Sequence, residues 1–361
     1  MEHYYALIMA GGGGTRLWPM SRKSTPKQLL PLIGEHSMFD TSVQRLAPLF
    51  LPEQIYIVTG QTYVEQLKQE APNIPLKNFI VEPYGRDTAP AVGLALSVIE
   101  KRDPQATVAI LTADHHIGKP DYFLETLSAA YEIAQSDKIV TLGISPSYPA
   151  TGFGYIQQGA QLGESGGITY YESKGFKEKP DRVRATQFLS SGDYTWNSGM
   201  FIWKASVGMG EFKRQQPEMH ELFSQLQHSV DTSDYQTTLE DIWDKTTKTS
   251  LDFAIMENAK DIAVIPSEIG WSDVGSWASL YDMLPQDQFG NCANGKVREN
   301  KIILDTKNTL LFSDRLVVII GVEDVIVIDT EDAILVCHKD RSQEVKQVVQ
   351  YLKENDGDAY L

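Results

Sequence analysis

The sequence predicts an α/β fold: a doubly wound, mainly parallel sheet followed by a small C-terminal β module. Three observations predict it. Apolar runs of strand length alternate with amphipathic stretches of helix length from Tyr4 to Ile144. After about Pro285, short β-branched runs recur at roughly eight-residue spacing with turn residues between them. Finally, 361 residues with 42% hydrophobic content can bury a large core and still hold a smaller second unit. The expected division is 1–285 and 286–361.

In chain order, residues 4–10 read as the first strand, and Ser37 is placed to cap a helix over 38–46. Strand 54–59, helix 63–70 and strand 78–81 follow. Asp87 or Thr88 caps a helix with Pro90 in its first turn, running to about Lys101. Strand 107–111, a long helix 121–136 and strand 139–144 complete the regular alternation. In such sheets ligands sit beyond the carboxyl ends of the strands. The stretch 151–266 is less regular and reads as an insertion completing the same domain. It offers strands at 155–157, 170–176, 199–203 and 262–266, and helices near 182–191, 205–216 and 251–259. The last of these helices is expected to bury Leu251, Phe253 and Met256 or their neighbours, with Asp252 given no chemical role. The tail offers strands at 302–304, 309–312, 317–320, 325–328 and 333–336, then a helix over 343–353. Spacing alone defines a compact β module there; a short sandwich fits it.

The formal net charge of −16 argues against nucleic acid and anionic membranes, since phosphate surfaces demand clustered cations. No apolar run approaches the roughly 20 residues of a spanning helix. The N-terminus lacks the basic region of a signal peptide. Two cysteines, Cys292 and Cys337, make no framework, so a reduced cytoplasmic protein is expected.

Against that acidity, no acid occurs between His3 and Gly34, where Arg16, Arg22, Lys23 and Lys27 stand. Just before these cations, Gly11, Gly12, Gly13 and Gly14 follow the first strand and Thr15 follows them. Bare backbone N–H groups can converge there on phosphate oxygens, and an anionic ligand such as a nucleoside triphosphate would account for the cations. A Walker loop is excluded, because Thr15-Arg16 stand where Lys-Ser/Thr is needed. A dinucleotide fingerprint from Gly12 fails at Leu17.

Further islands carry candidate chemistry. Glu82-Pro-Tyr-Gly-Arg-Asp87-Thr88 joins a strand to a helix, which a simple cap would explain by itself. Asp114 ends an apolar strand, and its carboxylate is a hard ligand suited to Mg²⁺. The adjacent His115-His116 point to opposite faces if the strand continues, which disfavours zinc. Asp273, in Trp271-Ser-Asp-Val-Gly-Ser-Trp277, has no packing reason to be there. Gly152 and Gly154 mark a close backbone approach. Glu178 and Lys179 stand side by side, and Asn197-Ser198 offer groups that pair with hydroxyls.

Taken together, Gly-x-Gly-Thr-Arg-Leu-x-Pro, Ser21-Arg22, Pro26-Lys27-Gln28 and the later islands resemble the sugar-1-phosphate nucleotidylyltransferases. Trp18 with Ser21-Arg22 resembles the mannose-1-phosphate guanylyltransferase branch. The resemblance covers about Ala6 to Leu280, and the tail more loosely. It implies a Rossmann-like nucleotidyltransferase core with a small left-handed β-helix. It implies a nucleoside segment containing Glu82 and Asp87, with Thr88 beside them, and Mg²⁺ shared by Asp114 and Asp273. It further implies a hexose touched by Gly152, Glu178 and Asn197, with Lys179 near its phosphate. Relatives tend to dimerise, so a homodimer is expected. Longer relatives carry an isomerase domain, for which these 361 residues leave no room.

The implied reaction is α-D-mannose 1-phosphate plus GTP giving GDP-mannose and pyrophosphate. The nucleophilic phosphate is already ionised, so the work is charge neutralisation and alignment. Arg16 suits the developing charge on the α and leaving phosphates, and Lys27 suits the sugar phosphate or α-phosphate. Rival readings are the same chemistry on another nucleotide or sugar, a non-catalytic nucleotide-sugar sensor, and a metal-dependent glycosyltransferase. The last leaves the Gly-Thr-Arg-Leu loop unexplained.

Overall fold

Strands buried on both faces read as continuous apolar runs, and the first half of the chain forms them. The structure, a computed structural model, describes residues 1–12, 15–294 and 301–361. It comprises two compact units, each built from separated segments of chain. The first holds Met1–Gly11, Ser42–Ala113 and Ile117–Trp271; the second holds Gly12–Thr41, Asp114–His116 and Ser272–Leu361.

In the first unit the main strands are β1 (Tyr4–Met9), β2 (Ile55–Gly60), β3 (Phe79–Glu82) and β4 (Thr107–Thr112). After the two-residue β5 (His116–Ile117) come β6 (Ile139–Ile144), β7 (Tyr155–Ser165), β8 (Ile168–Lys177), β9 (Tyr194–Lys204) and β10 (Ile262–Pro266). Apart from β5 they make one nine-stranded sheet in the order β3-β2-β1-β4-β9-β6-β10-β8-β7. Strands β1 to β4 pair in parallel, as do β6 and β10. Strand β9 runs against both β4 and β6, and the β7–β8 hairpin closes one edge antiparallel.

The sheet is covered on both faces because side chains alternate along β1. Leu7 packs into a core with helices α3 (Thr88–Arg102), α6 (Ala205–Gln215) and α7 (Pro217–Ser229), centred on Trp203, Phe212 and Phe223. On the other face Tyr4 packs its ring at a tilt against Phe50 and Tyr131 and donates its hydroxyl to Leu127 O of α4 (Pro120–Ala134).

The expected elements of this unit recur within a residue or two at most positions, and three departures have physical reasons. First, β7 and β8 are much longer than expected. Gly166 and Gly167, at φ 57° and 80°, make a two-residue turn that draws polar chain into an edge hairpin. Second, α7 and α8 (Tyr235–Trp243) were not expected, although Met219, Phe223 and Leu226 have helical spacing and Pro217 starts α7. Third, the helix expected over 251–259 breaks at Ile255 into α9 (Leu251–Ala254) and a 3₁₀ turn, Met256–Asn258. Consequently Phe253 is 52% exposed, and Ala254 and Ile255 are buried beside Leu251 and Met256.

In the second unit, β12 (Cys292–Asn294), β14 (Leu310–Phe312) and β16 (Val325–Asp329) stack in parallel, and β17 (Ile334–His338) adds antiparallel. Strands β13 (Lys301–Leu304) and β15 (Val317–Ile320) pair in parallel in a separate sheet. From β12 to β16, successive strands thus alternate between two sheets. That is a β-helical coil, where a sandwich of hairpins would pair neighbours antiparallel. Asp305, Asn308 and Asp324 sit at its turns with φ of 48°, 50° and 56°, a conformation Asp and Asn tolerate. Helix α11 (Val345–Glu354) closes the unit.

The core of this unit includes Leu17, Trp18, Leu30 and Leu32 from the N-terminal motif, with Trp277, Leu310, Ile326 and Ile328. Trp277 Nε1 donates to Trp18 O at 3.0 Å, and Trp18 Nε1 donates to Tyr360 O at 2.8 Å. Arg22 also donates to Tyr360 O and pairs with Asp332 at 2.7 Å; Lys23 pairs with Asp358 at 2.7 Å. This corrects the expectation that an anionic ligand accounts for all four cations. Arg22 and Lys23 are matched by acids of the same unit and hold the chain's last residues. Among the described residues, no helix is long and apolar enough to cross a membrane.

Packing in the first unit makes one position diagnostic. A Cβ at Gly93 of α3 would lie 2.1 Å from the Phe223 ring. Alanine should favour the helix by ~1 kcal/mol, yet overpacking typically costs ~1–3 kcal/mol. A clash that short puts the cost at the upper end of that range, so Gly93→Ala is expected to lower the unfolding free energy by about 2 kcal/mol, read from urea denaturation.

Candidate active site

Residue Ala10, the last before the glycines, is fixed at both polar groups. Its N–H donates to Val58 O at 2.9 Å, and its carbonyl accepts from Thr59 Oγ1 at 2.7 Å. Gly12 follows at φ 102°, where a side chain would be strained; Gly11 is exposed with open space around it. Gly13 and Gly14 lie outside the described residues. Thr15–Leu17 forms a 3₁₀ turn in which Leu17 is buried and Thr15 and Arg16 face solvent.

Lys27 opens another 3₁₀ turn and is only 7% exposed. A buried ammonium requires anionic or carbonyl partners. It donates to Asp114 Oδ2 at 2.8 Å and to Asp273 O at 2.5 Å. Burial pushes the Asp114 carboxyl up, but the adjacent Lys27 and His115 charges outweigh it and hold the group below its ordinary range. Asp273 sits in a tight turn. Its Oδ1 accepts from Gly275 N at 3.1 Å, Val274 has φ 45°, and a Cβ at Gly275 would come within 2.5 Å of Asp273 Oδ2. Thr15, Arg16, Lys27, Asp114 and Asp273 line one cavity of about 320 Å³.

Two carboxylates at one cavity fit a Mg²⁺ ion, which keeps several waters or phosphate oxygens and takes few protein ligands. Among the described residues no cluster of three or more His, Cys, Asp or Glu offers a fuller cage.

In the first unit, Glu82 ends β3 and is 7% exposed, with its Oε1 buried and unpartnered. Burial first, then the Asp87 charge, raises its carboxyl to about 7. Asp87 caps α3 by accepting from Thr88 N at 2.8 Å while held at φ 70°. The loop between them is strapped to the end of α8. Arg86 donates to Thr246 O at 2.5 Å, the Tyr84 hydroxyl meets Asp244, and Trp243 Nε1 donates to Tyr84 O at 2.8 Å. Thr88 Oγ1 is engaged too, accepting from Leu251 N at 2.8 Å.

The same unit gathers the sugar-directed candidates. Glu178 Oε1 accepts from Lys179 Nζ at 2.8 Å, and its Oε2 is buried without a partner. Asn197 Nδ2 donates to Asp252 Oδ1 at 2.8 Å. Gly154, rather than Gly152, is the glycine this cluster requires. A Cβ there would lie 2.4 Å from Glu178 Oε2, and its carbonyl accepts from Asn197 N at 2.8 Å. Around Gly152 there is open space.

The sequence singled out, among others, Arg16, Lys27, Asp114 and Asp273, which line one cavity, and Glu178, Lys179 and Asn197, which fall in one cluster. It gave no role to Asp252, whose place in the first turn of a capped helix is where acids ordinarily occur. It also passed over Glu257, whose carboxylate accepts from Glu178 N at 3.4 Å.

A model of the family described as Nucleotidyl transferase matches residues 5–289, and one described as MannoseP isomerase/GMP-like beta-helix domain matches 299–352. The chain is similar to a mannose-1-phosphate guanylyltransferase of Klebsiella pneumoniae, at 39% identity over 98% of this chain and 75% of the relative. It is 36% identical to the alginate biosynthesis protein AlgA of Pseudomonas aeruginosa, over 96% of this chain and 71% of that one. A solved structure described as mannose-1-phosphate geranyltransferase of Thermus thermophilus superposes with a TM-score of 0.87 at 33% identity, covering 97% of this chain and 99% of the other.

Glu82 generates a stability prediction. Its folded pKa of about 7 lies above its ordinary 4.5, so its contribution is fully present below pH 4.5 and is lost as pH rises through 7. Glu82→Gln should therefore gain stability relative to the parent across that interval, by on the order of 3 kcal/mol, and then hold a constant lead. Urea denaturation of both proteins at a series of pH values measures it.

Proposed function

The chain belongs to the nucleotidyl transferase family, and on that premise we propose that it transfers GMP from GTP to α-D-mannose 1-phosphate. The products are GDP-mannose and pyrophosphate. The observation that carries the reading is the single cavity lined by Arg16, Lys27, Asp114 and Asp273. Together they match the needs of joining two polyanions.

The chemistry asks for little covalent participation by the protein. The sugar phosphate oxygen attacks the α-phosphorus in line with departing pyrophosphate, and no general base is needed. Gly11, Gly12 and Thr15 offer backbone N–H groups to the triphosphate, as the sequence also expects of Gly13 and Gly14, which lie outside the described residues. Arg16 meets the charge that develops on the α and leaving phosphates; among the described residues it has no acid of its own to satisfy. Lys27 is buried and pre-aimed by its two oxygen partners, so it presents its charge without being reorganised. Asp114 and Asp273 hold the divalent cation, which we take to be Mg²⁺; when bound it supplies Lewis-acid neutralisation of phosphate charge. The guanine is read by Glu82, whose buried, unpartnered oxygen suits a base N–H donor, with Asp87 and Thr88 shaping the loop. Glu178 and Asn197 meet the hexose, Gly152 and Gly154 leave room for it, and Lys179 stands near its phosphate.

The reaction belongs in the cytoplasm, with its nucleotide. The chain also works as a homodimer in this reading. The outward faces of β13 and β15 bring Ile302 against Val318 and Leu304 against Ile320, each 45% exposed or more. Val318→Lys with Ile320→Lys is expected to halve the mass seen by analytical ultracentrifugation; a mass unchanged from the parent would remove this surface from the interface.

The deciding assay is pyrophosphate release with Mg²⁺ and mannose 1-phosphate, in parallel with GTP, ATP, UTP, CTP and dTTP. GTP is expected to dominate, and release chiefly with another nucleotide would overturn the base assignment. Asp273→Ala should abolish turnover, and Arg16→Lys should lower kcat roughly 10²–10³-fold, because a point charge cannot reproduce the guanidinium fork. Unfolding midpoints near the parent's would show that these losses are chemical.

A further inference from the structure

We propose that Asp252 is the positioning residue of the hexose subsite: it fixes the Asn197 amide so that, with Glu178, a set pattern of donor and acceptors meets the sugar hydroxyls. The inference rests on the assignment of Glu178 and Asn197 to the sugar side, and deepens it.

A primary amide can turn over and exchange its oxygen for its nitrogen. Asn197 is prevented from doing so at both ends. Its Oδ1 accepts from Gly199 N at 3.0 Å, and its Nδ2 donates to Asp252 Oδ1 at 2.8 Å. Turned over, the amide would set donor against donor at Gly199 and acceptor against acceptor at Asp252. Gly199 reaches this position with φ 73°, which binds the oxygen end to the backbone itself. One N–H and one lone pair of Asn197 remain for a ligand, in fixed places.

Glu178 supplies the complementary half. Its Oε1 is taken by Lys179 Nζ, and its Oε2 is buried with no partner. Such an oxygen costs ~1–3 kcal/mol if it stays unpaired, so it marks a place for a ligand donor. Its setting at Gly154 leaves room that any Cβ would fill. A hexose offers adjacent hydroxyls, each both donor and acceptor, and the subsite offers acceptors on Glu178 and Asn197 with a donor on Asn197.

Asp252 is not needed to build the helix that carries it. Ser250 Oγ caps α9 by accepting from Phe253 N at 3.3 Å, Thr88 Oγ1 accepts from Leu251 N, and Ala89 N donates to Thr249 O at 3.1 Å. Its surroundings are polar and crowded. Asn197 touches it, the Glu178 and Lys179 charges act on it, and Glu257 and Lys177 meet each other at 3.6 Å nearby on the Glu178 backbone side. Burial, then the Glu178 charge, raises its carboxyl to about 6. In either protonation state one oxygen still accepts from Asn197, so the amide stays fixed.

The test varies both substrates for the parent, Asp252→Ala, Asp252→Asn, Asn197→Ala and the double variant Asp252→Ala/Asn197→Ala. Asp252→Ala should raise KM for mannose 1-phosphate about tenfold and leave KM for GTP within about twofold. Asp252→Asn should restore most of the loss, because its carbonyl also accepts. The double variant should lose little beyond Asn197→Ala, as coupled residues do. Equal effects on both KM values, no effect, an Asn variant as damaged as the Ala variant, or multiplying losses would each overturn the proposal. If the parent releases no pyrophosphate with mannose 1-phosphate, the proposed function fails. The same variants are then compared on whichever hexose 1-phosphate the parent accepts, by the same criteria. A parent that binds no hexose 1-phosphate by calorimetry would end the positioning role as well.

Discussion

Lys27 is a cation removed from water, and that removal obliges its surroundings to keep oxygen atoms in place around it. Its partners come from segments far apart in sequence: the Asp114 carboxylate and the carbonyl of Asp273. Separating the ammonium from both would leave an uncompensated buried charge, a penalty of several kcal/mol. The same two contacts fix where Asp114 and Asp273 stand at the cavity that Arg16 also lines. One electrostatic requirement therefore both holds the second unit's three segments together and gathers its charged groups at one cavity.

A second constraint shapes the first unit. Folded proteins seldom bury a carboxylate oxygen without a partner, yet Glu82 and Glu178 each do so. Glu82 is the last residue of β3, and Glu178 follows the last residue of β8. Several neighbouring groups are engaged: Asp87 caps its helix, Thr88 binds α9, and Asn197 is held at both ends. Among the described residues Glu82 and Glu178 are the two carboxylates with a buried, unpartnered oxygen, although neutral groups such as Thr195 Oγ1 and Trp203 Nε1 are also buried without a partner.

The second unit also gives the rest of the N-terminal motif a structural role. Trp18 and Arg22 both donate to the carbonyl of Tyr360, and Lys23 pairs with Asp358. These motif residues work as structural fasteners, with Trp277 completing the set through Trp18 O. The β-helical coil and α11 thereby belong to the same core as Leu17 and Leu30. A motif read as one functional string divides physically into cavity-lining and anchoring positions.

By itself the sequence determined the alternating strands and helices, the β-rich tail and the chemical types of the candidate site residues. Those features are local: strand periodicity, the Asp87 cap, and carboxylates or cations at strand ends and in glycine loops declare themselves within a few residues. Tertiary structure decided what depends on distant partners. The antiparallel course of β9 through a largely parallel sheet, the length of the Gly166-Gly167 hairpin and the break of α9 at Ile255 follow from sheet position and packing. Whether Arg22 serves a ligand or Tyr360, whether Gly152 or Gly154 makes room for Glu178, and whether Asp252 merely begins a helix or orients Asn197 are likewise questions of contact. Residues 55 positions apart, as Asn197 and Asp252 are, carry no sign in sequence that a single hydrogen bond joins them, because that bond exists only once both elements have packed.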